Sequence, residues 1–320
     1  MSKKILTLIT LLALTLTLLT GCGTTSTSTT GLEDSSATVQ TSVTSYPLTI
    51  KDDSGTEVTI PAKPQRIISF VPSSTETLFA LGLEGSVVGV TKWDDYPQDV
   101  QQKVEYVFDD AMNPNVEQIL KLNPDLIILG SQDAQTVEAL RQLGIPVVKY
   151  DPQSLEATYQ TIESFGVITD TSVQAQEIVT GMRTKEAAIE EKVATVKEED
   201  RIRVWIEVSE DLYTPGQGTF MDELVTKAGG VNIAHDVQGW AQFSSEQVVA
   251  QDPQVIFTTY GYYIQGAPDK VKARSGWGNI DAVKNNRVYD LDSNLVNRPG
   301  PRIIDGMESM AKQLYPELFK

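Results

Sequence analysis

A chain of 320 residues carries 26 basic and 43 acidic residues, a formal charge of −17, with one histidine and one cysteine. The acidic balance excludes nucleic acid and anionic lipid as natural partners, and a single cysteine excludes an intramolecular disulfide. With 40% hydrophobic residues, the chain is long enough to bury a sizeable core in two domains or one large one.

Lys3 and Lys4 open the chain, Ile5 to Leu19 form an apolar run diluted by threonines, and Leu19-Thr20-Gly21-Cys22 closes it. The run is too short and too weakly apolar for a membrane span and fits a secretory signal over residues 1–21. The small residues before Cys22 resemble the lipobox of bacterial lipoproteins. That resemblance implies cleavage before Cys22, lipid on its sulfur, and a mature balance of 24 basic against 43 acidic residues, or −19. Residues 22–45 then read as the lipidated cysteine and a flexible Thr/Ser/Gly tether, with little to bury. The expectation is a globular body outside the cell, held to the membrane through lipid only.

From Tyr46 to Ile60, short alternating segments flank Asp53-Ser54-Gly55 and predict a hairpin. Apolar runs at Ile67–Val71, Val87–Val90, Leu126–Leu129 and Val147–Tyr150 suit buried strands. Helical patterns at Thr75–Leu81, Val116–Lys121 and Gln135–Leu143 lie between them. Such alternation predicts a parallel sheet covered on both faces. From Leu155 to about Glu199 no strand-like run occurs, and Ile178, Met182, Ile189 and Val193 fall near helical spacing, which predicts one long helix. A second alternating set follows from Val204 to Leu314. The predicted fold class is therefore α/β. It has an N-terminal αβ lobe (46–165), a connecting helix (166–200) and a C-terminal αβ lobe (201–320), with a ligand cleft between the lobes. An internal repeat supports two related lobes: residues 117–128 (EQILKLNPDLII) align without a gap with residues 246–257 (EQVVAQDPQVIF).

Catalytic equipment is sparse. The lone His235 has no Gly-x-Ser-x-Gly elbow to serve, and no Walker-type loop is present. One histidine and an acylated cysteine argue against a metal site or a bound cofactor. Tyr262-Tyr263 could offer phenolates to ferric iron, but two tyrosines in a Gly-flanked loop more often line a surface or cleft. The pattern favours capture over conversion. An extracytoplasmic enzyme using His235 or a shifted carboxylate as base is the rival from another class, and a scaffold lipoprotein that binds no small molecule is a third.

Segments across nearly the whole mature chain carry a family resemblance. They include Arg66-Ile67-Ile68-Ser69 through Ser73-Ser74-Thr75-Glu76-Thr77-Leu78, Val88-Gly89-Val90 with Asp95-Tyr96-Pro97, and Asn123-Pro124-Asp125-Leu126-Ile127. Gly229-Gly230-Val231-Asn232, Ser245-Glu246-Gln247 and Arg298-Pro299-Gly300-Pro301-Arg302 complete the set. In these the chain resembles the substrate-binding lipoproteins of ABC importers for iron chelates and vitamin B12, whose two αβ lobes are joined by one rigid helix. The resemblance implies a monomer that delivers a metal chelate to a permease dimer and its ATPase. It places docking glutamates at Glu76 and Glu246 and assigns no such role to Glu117. Read from the residues alone, Glu76 closes a capping box with Ser73, and Glu246 sits in a helix's first turn after Ser244 or Ser245. Resemblance to the B12-binding members places ligand contacts at Tyr96, Tyr213, Trp240 and Arg298, with Tyr260 and Tyr262 on the other wall. Flat aromatic faces and an arginine suit a corrinoid, a ferric siderophore or haem. Asn294 departs from an acid in a B12 binder, and Asp109 and Gly130 stand where tryptophans occur, which leaves room for a differently filled cleft.

Overall fold

The structure, a computed structural model, describes residues 43–320. The signal segment, Cys22 and the tether up to residue 42 lie outside the described residues. Among the described residues, no helix is long and apolar enough to cross a membrane.

The first elements are β1 (Leu48–Lys51) and β2 (Glu57–Ile60), an antiparallel hairpin where the alternation predicts one. Buried Asp52 anchors it, accepting hydrogen bonds from Arg141 Nη2 at 2.6 Å and from the Lys149 amide at 2.9 Å. Five parallel strands follow: β3 (Ile67–Ser69), β4 (Val87–Thr91), β5 (Tyr106–Phe108), β6 (Leu126–Leu129) and β7 (Val147–Lys149). Their order is β5-β4-β3-β6-β7. Helices α1 (Pro72–Ala80), α2 (Val116–Lys121) and α3 (Ala134–Arg141) connect them.

The connecting region differs from the single helix predicted. It is a helical hairpin of α4 (Leu155–Ile168) and α5 (Ser172–Val193). The break falls at Asp170, whose φ of +55° reverses the chain. Asp is among the non-glycine residues that enter this region more readily than most, and the Asp170 carboxylate accepts the amide of distant Thr44 at 2.8 Å. A Cβ on Gly166 would lie 2.5 Å from that of Ala175, so glycine there lets the two helices close up. The 22 residues of α5 give a rod about 33 Å long.

The C-terminal lobe holds β8 (Arg203–Glu207), β9 (Tyr213–Pro215), α6 (Phe220–Lys227), β10 (Val231–Asn232), β11 (Trp240–Gln242), α7 (Ser245–Gln251) and β12 (Val255–Thr258). It continues with α8 (Ala267–Lys272), α9 (Asp281–Lys284), β13 (Val288–Asp290), α10 (Ser293–Val296) and α11 (Ile303–Leu314). Four of these strands form a parallel sheet, β10-β8-β12-β13, while β9 and β11 pair antiparallel as a separate ribbon. Both parallel sheets are buried on both faces. Ile67, Leu126 and Ile128 in one sheet, and Val204 and Ile206 in the other, turn toward a core that continues through α4, α5 and α11. Their alternates pack outward, Ile68, Ile127 and Leu129 in one lobe and Trp205 and Ile256 in the other.

The internal repeat is reproduced in the local geometry of both units. Each unit starts on a side-chain cap, Asn115 for α2 and Ser244 for α7. Each ends on a left-handed residue before proline, Asn123 and Asp252, both at φ 44°. Arg66 Nε reaches the Leu122 carbonyl at 2.8 Å, and Arg203 Nη2 reaches the Asp252 carbonyl at 2.8 Å.

Candidate functional site

A cavity of about 680 Å³ opens at the carboxyl ends of the N-terminal strands and is closed by residues of the C-terminal lobe. This is where an open α/β sheet leaves room for a ligand, since the strand order reverses there and the connecting loops diverge. Phe70 and Val71 follow β3, Lys92 and Trp93 follow β4, and Asp109 and Asp110 follow β5. Gly130 follows β6 and Tyr150 follows β7, while Phe220, Asn297 and Arg298 face them from the other lobe. A Cβ on Gly130 would come 2.8 Å from Val71 Cγ2, so the floor needs glycine. Buried Gln132 ties the loops behind it, accepting the Gly130 amide at 2.6 Å and donating to the Ala111 carbonyl at 3.0 Å. The Asp110 carboxylate accepts the amides of Asn113 and Met112, which hold its pKa below the ordinary value.

Four predicted ligand residues are placed as follows. Arg298 lines the cavity, and its guanidinium donates to Asp95 Oδ1 at 2.6 Å, the Trp93 carbonyl at 2.8 Å and Glu76 Oε1 at 3.2 Å. Trp240 is 44% exposed on β11 and its ring sits 6.4 Å from that of Phe220, a cavity wall. Tyr213 pairs opposite Gln242, so it shares a face of the β9–β11 ribbon with Trp240. Tyr262 is exposed and packs edge-on against Tyr263, outside the cavity.

Two further ligand assignments are corrected. Tyr260 is 1% exposed and its hydroxyl donates to Glu207 Oε1 at 2.5 Å. Burial and that neighbouring carboxylate push its pKa up, so it is a core residue and not a wall of the cleft. Tyr96 is exposed, but it lines a separate recess of about 420 Å³ with Phe79 and Arg302, whose guanidinium lies 3.7 Å from its ring centre.

Glu76 is corrected as well. Helix α1 begins at Pro72 with Val71 as N-cap and no side-chain cap, so the Ser73–Glu76 capping box does not form. Glu76 is 4% exposed. Both carboxylate oxygens are held by Arg302, at 2.8 Å each, and Oε1 is also held by Arg298. The carboxylate is thus engaged inside the protein by two arginines of the C-terminal lobe. Glu246, by contrast, is exposed in the first turn of α7 after the Ser244–Gln247 capping box. Its own amide and the Ser244 hydroxyl hold its carboxyl below the ordinary value. Glu117 is its exposed counterpart in the first turn of α2.

His235 lies away from the cavity, its Nδ1 2.9 Å from Asp222 Oδ2. Among the described residues no group of three His, Cys, Asp or Glu is placed to hold a metal. The aromatic walls Phe70, Trp93, Tyr150 and Phe220 are not among the residues singled out from sequence. Their shared signal is position: Phe70 and Tyr150 come one residue after the ends of β3 and β7, and Trp93 two residues after the end of β4, the place where an open sheet exposes side chains to a ligand.

A family model described as "Periplasmic binding protein" matches residues 67–295. The uncharacterised ABC transporter substrate-binding lipoprotein YvrC of Bacillus subtilis is 40% identical over 316 residues, 97% of this chain and 96% of its own length. Among solved structures, a possible iron-binding (periplasmic solute-binding) protein from Staphylococcus epidermidis is similar at 35% identity with a TM-score of 0.69, covering 79% of this chain and 100% of its own. The periplasmic vitamin B12-binding protein BtuF of Vibrio cholerae is similar at 29% identity with a TM-score of 0.68, covering 81% and 100%.

Proposed function

From the premise that this chain belongs to the periplasmic binding protein family, as a substrate-binding protein of an ABC transporter, we propose that it captures a metal chelate outside the membrane and hands it to its permease. That family is one of binding proteins and not enzymes, so His235 needs no catalytic role. The cargo we favour is a corrinoid. The observation that carries this reading is the aromatic lining of the cavity, with Trp93, Tyr150 and Phe220 on its walls and Trp240 beside Phe220. Flat, polarisable faces match a flat macrocycle and hold it without demanding charge. Similarity to BtuF agrees. A ferric siderophore is the second reading, favoured by the similarity to the possible iron-binding protein, and haem is the third.

The working parts follow from this. Cys22 carries the lipid, residues 22–45 form the leash, and the lobes 46–165 and 201–320 hold the ligand across the 166–200 segment. Docking to the permease falls to Glu246 and, because the repeat gives it the same helix turn, to Glu117 in place of the enclosed Glu76. Titrating the delipidated protein with cyanocobalamin, a ferric hydroxamate and haem, read by tryptophan quenching, tests the cargo. Saturable quenching with cyanocobalamin ahead of the others is expected. Tighter binding of the ferric chelate would replace the corrinoid reading, and indifference to all three would end it.

A further inference from the structure

Polar contacts converge between the segment 294–302 of the C-terminal lobe and residues 73–96 of the N-terminal lobe. Glu76 is at their centre. Arg302 grips it through Nε and Nη2 at 2.8 Å each, and Arg298 Nη1 adds a third contact at 3.2 Å. Arg298 then extends to Asp95 and to the Trp93 carbonyl, and Asn294 Nδ2 reaches Asp95 Oδ2 at 3.0 Å. Arg302 is also stacked on Tyr96. The backbone fits as closely: a Cβ on Gly300 would lie 3.2 Å from the Ser73 carbonyl oxygen. Two arginines meet two carboxylates, so the charges balance. Ser73, Trp93, Arg298 and Pro299 from this junction all line the cavity.

We propose that Glu76 is a positioning residue of the binding cavity: it locks the 294–302 segment to the N-terminal lobe and so fixes the spacing of the two walls and the presentation of Trp93. Arg298 acts in this lock, with three of its five N–H donors engaged on protein acceptors before any ligand arrives. The lock depends on charge in a dry site, where a carboxylate binds guanidinium groups far more strongly than at the surface. It also depends on the bidentate fork of Arg302, which a lysine does not reproduce. The consequence for capture rests on the corrinoid reading, but the lock itself does not.

The test uses the full mature protein. Glu76→Gln keeps the shape and removes the charge. It is expected to weaken cyanocobalamin binding about tenfold, mainly through faster release. Two readouts separate positioning from plain stabilisation. Amide hydrogen exchange in 294–302 should accelerate although the change is in the other lobe, and iodide should quench Trp93 more readily when Trp240 has been replaced by Phe. Asp95→Asn, at the exposed rim of the same cluster, leaves the core untouched and should weaken binding about threefold. It supplies the answer if Glu76→Gln does not fold. A folded Glu76→Gln protein with native exchange, quenching and affinity overturns the lock, as does an Asp95→Asn protein that binds like the parent. If the parent binds no corrinoid, the cargo reading fails, while exchange and quenching still decide the lock.

Discussion

Glu207, at the end of β8, is wholly buried and has a partner in every direction. Arg274 gives it two hydrogen bonds at 2.8 Å, the Trp205 indole one at 3.2 Å and the Tyr260 hydroxyl one at 2.5 Å. Tyr260 is thus bound to the core by its polar end, whereas Trp93 is 54% exposed on the cavity wall. The two aromatics make opposite predictions. Tyr260→Phe removes a hydrogen bond to a charged group and should cost about 2 kcal/mol of unfolding free energy, with chelate affinity unchanged. Trp93→Ala removes a contact face outside the core. It should leave stability within about 0.5 kcal/mol of the parent and weaken binding by about 2 kcal/mol, roughly thirtyfold. Urea denaturation and chelate titration of the two proteins check both. A Tyr260→Phe protein that loses affinity would return that residue to the cleft.

At the scale of elements, the α4–α5 hairpin is tied to the C-terminal lobe by one buried carboxylate. Glu186 on α5 accepts the Tyr159 hydroxyl of α4 at 2.6 Å and pairs with Lys227 of α6 at 2.8 Å, and Lys227 also meets Glu190 at 2.6 Å. Burial alone would lower the Lys227 pKa, but the hydrogen bonds its ammonium donates to Glu186 and Glu190 outweigh it and raise the value to about 12. An unfolded lysine titrates near ~10.4, so this contribution is complete below that pH and disappears as pH rises through about 12. Lys227→Met should therefore be less stable than the parent by about 1 kcal/mol at pH 8, with the gap closing across the alkaline window. Chemical denaturation at stepped pH measures this, and a gap independent of pH would refute the pairing. The strand–helix alternation and the repeat of α2–β6 in α7–β12 were both legible as sequence patterns, because buried strands are short apolar runs and the caps and αL-Pro stops recur. The division between α4 and α5 was not, since Thr169-Asp170-Thr171 holds neither glycine nor proline. The site was half legible for a related reason. Arg298 and Trp240 could be placed at it or beside it, but the enclosure of Glu76 depends on arginines 222 and 226 positions away, and that of Tyr260 on a glutamate 53 away. Local patterns carry no information about such partners.

At the scale of the whole molecule, one core runs from the first sheet through α4 and α5 into the second, while the cavity opens beside it. Closing such a cleft by a large rotation would shear that core, so the lobes act as a nearly fixed frame. A frame of fixed width can present two docking charges at a constant spacing. Helices packed on parallel strands run opposite to them, so the first turns of α2 and α7 lie at the carboxyl edges of their sheets, on the cleft side of each lobe. Glu117 and Glu246 occupy those turns, and neither lines the cavity. A permease with basic residues at matching positions would be met in one orientation, with the approach steered by the protein's strongly acidic balance. Charge reversal separates docking from capture. Glu117→Arg and Glu246→Arg should each lower transport in reconstituted vesicles by about tenfold and leave chelate affinity alone, and the double variant should abolish uptake. Raised ionic strength should weaken the parent's coupling to the permease in the same direction. Transport that survives both reversals would move the docking surface away from the repeated helices and leave their first-turn glutamates as helix-terminus charges only.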